Sequence, residues 1–387
     1  MLIGVDASRV TRARRTGTEN YSLQVLRHLL ARHSPHRYRL YLNQPLPDGL
    51  LPLPLGTTTR VIRLPRLWTH VGLSSEMLRA APDVLFVPSH VLPLVCPRRS
   101  VVVVYDVGHR VFPQAHGRFE RVYLEWSIRR HVRRATWLLT ISHASKRDLV
   151  RLYGADPERI AIAYPAVDER FRPASREEIE RVRARYGLAD RYVLHLGTLK
   201  PRKNLPRLIE AFARADLPGT TQLVLAGMST QRADALERVL DRTCTHQRVR
   251  RLAYVPLDDL PALYSGAAAV AIVSLYEGFG MPALEALACG APLVAGARGS
   301  LPEIVVDEQT GLLADPLDVA AIAAALSRLV NDGSLAQQLR QAGPRRAQAF
   351  SWDEAARVTA EVLDLAGRSP LPAADTPFRS WRRSAPS

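Results

Sequence analysis

Residues Tyr276 to Pro292 read YEGFGMPALEALACGAP: a glutamate, a Gly-Phe-Gly-Met-Pro step, and a second glutamate eight positions after the first. The apolar run VAIVSL (Val270 to Leu275) before it reads as a strand, so Glu277 to Met281 form the loop at that strand's carboxyl end. Pro282 suits the first helical position and Gly290 a cap, which predicts a helix over Ala283 to Cys289. Glu285 then lies one turn into the helix, on the same side as the loop. Backbone N–H groups at Gly280 and Met281, unpaired at a helix start, suit a phosphate. Carboxylates repel phosphates, so Glu277 and Glu285 point to neutral hydroxyls, which they bind as acceptors. A ligand with phosphates in the middle and hydroxyl-rich rings at both ends, a sugar nucleotide, meets all three requirements. A lone glutamate at a helix start is usually a solvated charge favoured by the helix dipole, so the whole string carries this reading.

Outward from this stretch, apolar runs alternate with amphipathic ones, the pattern of parallel βαβ sheets. Strands are expected near Leu2 to Ala7, Arg39 to Asn43, Arg60 to Leu64, Asp83 to Pro88, Val101 to Asp106, Trp137 to Ile141 and Ile160 to Tyr164. Helices near Asn20 to Arg32, Arg118 to Arg134 and Ala144 to Tyr153 carry apolar residues at i, i+3, i+4 and i+7. A second alternation starts at YVLHLG (Tyr192 to Gly197) and continues through QLVLAGM, VRRLAYV, VAIVSL, PLVAG and GLLAD. The expected fold class is therefore α/β, two doubly wound Rossmann-like domains facing across a cleft. The expected boundaries are a first domain over 1–187, a hinge between Gly187 and Arg191, a second domain over 188–351, a C-terminal helix over 352–367 packing back toward the first domain, and a loose basic tail over 368–387. In open α/β sheets ligands bind beyond the carboxyl ends of the strands, which puts the site between the domains.

With 387 residues, 47% of them hydrophobic and 23% charged, the chain has the composition of a soluble globular protein of two domains. Its longest apolar run, SVVVVYDV (Ser100 to Val107), is far short of the roughly 20 residues that cross a bilayer. The start MLIGVDAS lacks the basic-then-apolar form of a secretory signal, so a cytoplasmic protein is expected. Cys96, Cys244 and Cys289 have neither disulfide-framework nor zinc-ligand spacing and are read as small hydrophobes. A net charge of +16 points to anionic partners, but only Lys146, Lys200 and Lys203 are lysines, and no basic run interleaves with aromatics, so no nucleic-acid partner is expected. Peripheral contact with a membrane is compatible with the charge.

The Tyr276 to Pro292 string resembles the E-x7-E signature of the family 4, or group 1, retaining glycosyltransferases of the GT-B fold. LHLGTLKPRKNLPRLIEAF (Leu194 to Phe212), GARGSLPEIVVDEQTGLLADPLD (Gly296 to Asp318), TISHASKRDLVRLYG (Thr140 to Gly154) and FSWDEAARVT (Phe350 to Thr359) extend the resemblance over nearly the whole chain, to about Gly367. The resemblance implies a hexosyltransferase of polysaccharide biosynthesis. It would use a nucleotide-diphosphate sugar of the GDP-mannose or UDP-glucose type, a glycan or lipid-linked acceptor, no metal and no further cofactor. By the same resemblance Glu277 would hold donor-sugar hydroxyls and Glu285 the ribose, while Phe279, Gly280 and Met281 would offer backbone contacts. Arg202 and Lys203, on the PRKN loop, would neutralise the diphosphate. Gly17 and Thr18 resemble the family's glycine loop, where backbone approaches the diphosphate or the acceptor.

Two positions leave the family pattern. Thr198 stands where many members have an arginine, with Arg202 or Lys200 as candidate substitutes. Tyr105 stands where a histidine often precedes the aspartate, in VVVVYDVGHRVFP (Val101 to Pro113). Three readings are open there: His109 supplies the imidazole, Asp106 acts with Tyr105, or activity has been lost. His90 is a second histidine after a strand end, and Ser142 is read as a helix N-cap. The rival to a transferase is a non-catalytic or epimerase-like GT-B protein that binds a sugar nucleotide.

Overall fold

The computed structural model describes residues 1–12, 16–64, 66–89, 91–198, 200–227 and 234–369. His90 and the end of the expected tail lie outside the described residues. Among these residues, β1 (Leu2–Asp6), β2 (Arg37–Leu42), β3 (Thr58–Val61), β4 (Val84–Val87), β5 (Ser100–Val104), β6 (Trp137–Thr140) and β7 (Ile160–Ile162) form one parallel sheet in the order β3-β2-β1-β4-β5-β6-β7. A second parallel sheet joins β8 (Tyr192–Leu196), β9 (Gln222–Ala226), β10 (Val249–Leu252), β11 (Ala269–Ile272), β12 (Leu293–Gly296) and β13 (Leu312–Ala314) in the order β10-β9-β8-β11-β12-β13. The central strands are apolar on both faces because helices cover both: Val101, Val102, Val103 and Val104 are all fully buried. In each sheet the winding reverses between the first and fourth strands, β1 beside β4 and β8 beside β11, and the crevice at such a switch point is where ligands bind.

Strand ends fall within about three residues of those expected from the sequence, while the domain boundary does not fall where it was expected. The helix Arg176–Tyr186, inside the 1–187 span expected for the first domain, packs with the second. It packs on the helix Leu260–Ser265, and Arg185 and the Tyr186 hydroxyl both reach Asp259 Oδ2, at 2.9 and 2.7 Å. The crossing between domains therefore runs through the segment between β7 and Arg176. The chain returns at its end: the helix Trp352–Arg368 packs along the helix Gly17–Ala31, with Trp352 edge-on to Tyr21 at 5.7 Å and His28 bonded to Asp353 at 2.8 Å. An aromatic group of half-buried Tyr164 and buried Phe279 and Phe350, with ring centroids 5.5 to 5.9 Å apart, joins the two domains beneath the cleft. Of the cysteines Cys289 is buried and Cys96 half-buried, but Cys244 is exposed, against the expectation of three buried thiols.

Candidate active site at the interdomain cleft

Beyond β11 the loop Val273 to Gly280 turns into the helix Met281–Ala288. Gly280 is its N-cap at φ +112°, and a Cβ there would sit 2.7 Å from Leu301, so glycine is required on both counts. The loop is held by its carbonyls. Ser300 Oγ donates to Glu277 O (3.0 Å) and Phe279 O (2.5 Å), and from the first domain Ser142 Oγ donates to Gly278 O at 2.6 Å. The Phe279 side chain lies in the aromatic group under the cleft, so only its backbone is available to a ligand.

The PRKN loop follows β8 and is bolted to the same turn. Asn204, in the left-handed region at φ 62°, donates from Nδ2 to Val273 O and Pro316 O, and Leu275 N donates to Arg202 O at 2.8 Å. This fixes Lys203 Nζ at 2.6 Å from Glu277 Oε1 and Arg202 Nη1 at 2.5 Å from Oε2, with Ser274 Oγ donating to Oε1 at 2.7 Å. Burial alone would raise the Glu277 pKa, but the two cations and the hydrogen bonds from Lys203 and Ser274 outweigh it and bring the carboxyl down to about 2. Glu277 is thus an ionised carboxylate with both oxygens already paired, and it can exchange cation contacts for hydroxyls without taking up a proton.

Glu285, one turn into the helix, meets the opposite environment. Burial pushes its carboxyl up to about 7, while a hydrogen bond from the Tyr264 hydroxyl (2.9 Å) and the charge of Lys203 act against the rise. Lys203 therefore acts on both glutamates. His195, fully buried on β8, donates from Nδ1 to Ala271 O at 2.9 Å; burial and Lys203 hold its pKa near 4, so the ring is neutral and Nε2 is an acceptor with no hydrogen-bond partner among the described residues.

Across the cleft, Asp106 follows β5 and accepts from Gly108 N at 2.8 Å. A Cβ on Gly278 would lie 2.8 Å from Asp106 Cβ, so the Glu-Gly-Phe-Gly loop approaches Asp106 as closely as glycine permits. Burial opposes charge on Arg202, but Glu277 and, to a lesser degree, Asp106 raise its pKa; burial chiefly, and then the Asp106 charge, raise that of Tyr276, which places Asp106 in one electrostatic site with the Glu277 cluster. Tyr276 crosses to the first domain, donating to Asp148 Oδ2 at 3.1 Å. Glu303 crosses as well: its carboxylate accepts from His143 N (2.8 Å), Ala144 N (2.7 Å) and the Tyr164 hydroxyl (2.8 Å), capping the helix His143–Tyr153 from the other domain.

Other expected residues are placed differently. His109 is buried, with Nε2 2.9 Å from the Tyr153 hydroxyl, which donates to Glu125; burial lowers its pKa. Its Nε2 is therefore committed to Tyr153 and Glu125, and no hydrogen bond among the described residues joins it to the Glu277 cluster. Tyr105 turns its hydroxyl inward to Pro88 O at 2.5 Å and packs edge-on against Tyr21. Thr198 is exposed beside Gly197, whose carbonyl would be 2.1 Å from a Cβ on Gly227; that close approach is the reason for glycine there. Gly17 and Thr18 open the helix Gly17–Ala31, and the Thr18 carbonyl accepts from Ser22 and Tyr105. Sequence reasoning missed Ser274, Ser300, Glu303, Tyr276 and His195, although Ser300 and Glu303 lie in the GSLPEI string that it had singled out.

Fold and site define a two-domain α/β protein with a cation–carboxylate cluster set between its domains. Residues 15–171 match the Glycosyltransferase Family 4 profile and residues 177–346 the Glycosyl transferases group 1 profile. The chain is 35% identical over 272 residues to O-antigen chain mannosyltransferase B of Escherichia coli, covering 69% of this chain and 70% of that one. It is 36% identical over 237 residues to D-inositol 3-phosphate glycosyltransferase of Salinispora tropica, covering 57% of this chain and 48% of that one. Sucrose-phosphate synthase from Thermosynechococcus elongatus superposes at TM-score 0.71 and 21% identity over 94% of this chain and 98% of its own. Anabaena HepE, solved in complex with UDP-glucose, does so at 0.71 and 19% over 94% and 99%. The chain belongs to the group 1, family 4 glycosyltransferases and has their GT-B fold.

Proposed function

We propose that this glycosyltransferase moves a hexose, mannose first among candidates, from a nucleotide-diphosphate sugar to a glycan or lipid-linked acceptor, with retention and without a metal, at the cytoplasmic face of a membrane. The observation that carries the reading is Glu277, a buried ionised carboxylate with Lys203 at 2.6 Å and Arg202 at 2.5 Å. On donor binding the sugar hydroxyls take the Glu277 oxygens, and the released cations turn to the diphosphate, whose charge grows as the glycosidic bond breaks. The bond from the acceptor oxygen to the anomeric carbon forms on the face that the phosphate leaves, and the acceptor proton passes to the departing phosphate oxygen. Glu285 accepts from the ribose hydroxyls. Mannose is supported by the Escherichia coli relative, named a mannosyltransferase of O-antigen chains, and a UDP-sugar by the UDP-glucose complex of the Anabaena neighbour.

Calorimetric titration with GDP-mannose, UDP-glucose and ADP-glucose, followed by NMR of the transferred anomeric centre, tests the reading. Inversion at that centre would sink the mechanism, and failure of all three donors to bind, together with unchanged behaviour of Glu277→Ala, would sink the function. A second reading, a sugar-nucleotide binder without transfer, is favoured by Tyr105, whose hydroxyl is bonded inward where related sequences carry a histidine. Tight donor binding with no turnover on any acceptor would select it.

A further inference from the structure

His195 carries a polar atom that the proposed transfer leaves unused. Its neighbours Val193 and Leu194 on β8 are fully buried apolar residues, and the imidazole is buried as completely. A carbonyl can only accept, so the contact with Ala271 O at 2.9 Å puts the proton of the neutral ring on Nδ1 and leaves Nε2 an acceptor. Nε2 has no hydrogen-bond partner among the described residues, and an orphaned polar atom in a core is costly. The tie to Ala271 accounts for Nδ1 and gives no reason for Nε2.

Lys203 has the complementary surplus. Its ammonium carries three donors and its side chain is 5% exposed, yet Glu277 Oε1 is the one hydrogen-bond partner that the described residues give it. Lysine and histidine meet across Gly197. At φ +148° this glycine leaves a gap in which a Cβ would lie 3.3 Å from Lys203 Cε, 3.4 Å from its Nζ and 3.9 Å from His195 Nε2. A side chain there would crowd Lys203, whereas the gap keeps ammonium and imidazole open to each other. Burial and then the Lys203 charge lower the His195 pKa, in agreement with that proximity. The lysine stem is flexible enough for Nζ to turn from one acceptor to the other.

We infer that His195 is a positioning residue for Lys203: its Nε2 accepts a hydrogen bond from the Lys203 ammonium once Glu277 Oε1 is taken from it. In the proposed function, on which this step rests, the sugar hydroxyls take that oxygen. The ammonium is then held between Nε2 and the diphosphate instead of being left to search for a partner. Only the neutral ring can do this, since a protonated one offers no lone pair and repels the lysine.

The test is nitrogen NMR of the full chain carrying isotope-labelled histidine, the His195 signals being those that His195→Asn removes. In Glu277→Ala with no donor present, the Nε2 resonance should move upfield from its free-acceptor position, and in Glu277→Ala/Lys203→Met it should return. GDP-mannose or UDP-glucose added to the parent should produce the same movement. Circular dichroism checks folding, and kinetics decide should Glu277→Ala not fold. His195→Asn keeps an amide donor for Ala271 O but has no acceptor at the Nε2 position, where His195→Gln places its carbonyl oxygen. The diphosphate gains charge as the glycosidic bond breaks, so His195→Asn should lower kcat about tenfold with donor KM within about twofold, and His195→Gln should keep about a third of parental kcat or more. Equal losses in the two variants, following their thermal midpoints, would make His195 a tie between strands and overturn the inference. So would an Nε2 signal that stays in place in Glu277→Ala or that moves without Lys203. Failure of the parent to bind either donor would sink the proposed function, while the donor-free spectra still decide for His195.

Discussion

The two sheets wind alike, yet the rims they present to the cleft are built oppositely. On the second-domain rim, Lys203, Arg202, Ser274 and Glu277 form one cluster of paired charges, which in the proposed function change partners when a donor arrives. On the first-domain rim the corresponding polar groups are satisfied from within. Asp6, at the end of β1, accepts from Ser8 N, Ser8 Oγ and Ser89 Oγ, and Tyr105, after β5, donates to Pro88 O. Asp106 is the first-domain group whose charge acts on Arg202. The difference fits the proposed function: a rim for a charged diphosphate would keep counter-charges in reserve, whereas a rim for a neutral hydroxyl acceptor would need shape and few charges.

The largest effect should come from breaking the charged rim. Glu277→Gln leaves Lys203 buried without its counter-ion, and removing one partner of such a pair costs about 3–5 kcal/mol. Donor kcat/KM should fall at least ~10³-fold and the thermal midpoint should drop. Donor affinity equal to that of the parent would dissolve the contrast between the rims. The same carboxylate sets an acid limit. Its folded pKa, near 2, lies below the ordinary glutamate value, so its contribution is complete above about pH 4.5 and is lost as pH falls toward 2; it is worth ~3 kcal/mol, read by denaturant titration across pH.

Glu285 should behave with the opposite sign. Its folded pKa, near 7, is raised, so the folded state holds a proton that the unfolded state has released, and stability falls by up to ~3 kcal/mol as pH rises from about 4.5 to 7. Donor affinity should move the other way, rising up to ~10-fold between pH 6 and 8 as the ionised carboxylate becomes available to the ribose hydroxyls. Glu285→Gln should flatten both profiles. Calorimetry at three pH values reads the affinity, and a flat profile in the parent would remove Glu285 from the ribose.

A smaller effect is expected at the link between the rims. Glu303→Ala removes the bidentate cap on the helix His143–Tyr153 and should raise donor KM about fivefold to tenfold with kcat little changed, as expected for weaker closure costing ~1–2 kcal/mol. An equal loss in kcat would make Glu303 more than a latch. The smallest effect belongs to Tyr105→Phe. Losing the bond to Pro88 O should cost ~1 kcal/mol in chemical unfolding and change kcat less than twofold. A tenfold loss of turnover would show that the first-domain rim is not self-contained.

Much of this was legible in the chain. Two sheets, their winding and their helices follow from apolar runs alternating at strand and helix periods, because a buried parallel strand must be apolar on both faces. Arg202, Lys203 and Glu277 could be singled out because they lie in two short strings, PRKN and YEGFGMPALE, each at a strand's carboxyl end, but their pairing with one another and with Ser274 could not. What pattern cannot give is the partner of a side chain from the other domain. Ser142 read as a helix cap and serves as one, yet its hydroxyl also donates to Gly278 O across the cleft. Glu303 read as part of a supporting string, and its carboxylate caps a helix 160 residues earlier in the chain. The charged helix Arg176–Tyr186 read as the end of the first domain, and its packing assigns it to the second.

The helix Arg118–Arg134 shows where the two kinds of information divide. Its ends and its apolar spacing were determined by the sequence alone, since local hydrogen bonding and periodicity are properties of neighbouring residues. Which way the stripe faces was decided by the tertiary structure, which leaves Phe119 and Val122 exposed and buries Ile128 on the other side. The same division holds for the glutamates: their spacing is written in the chain, but opposite pKa shifts arise only when folding brings Lys203, Arg202 and Ser274 to one of them and buries the other, whose rise Tyr264 and Lys203 only partly oppose.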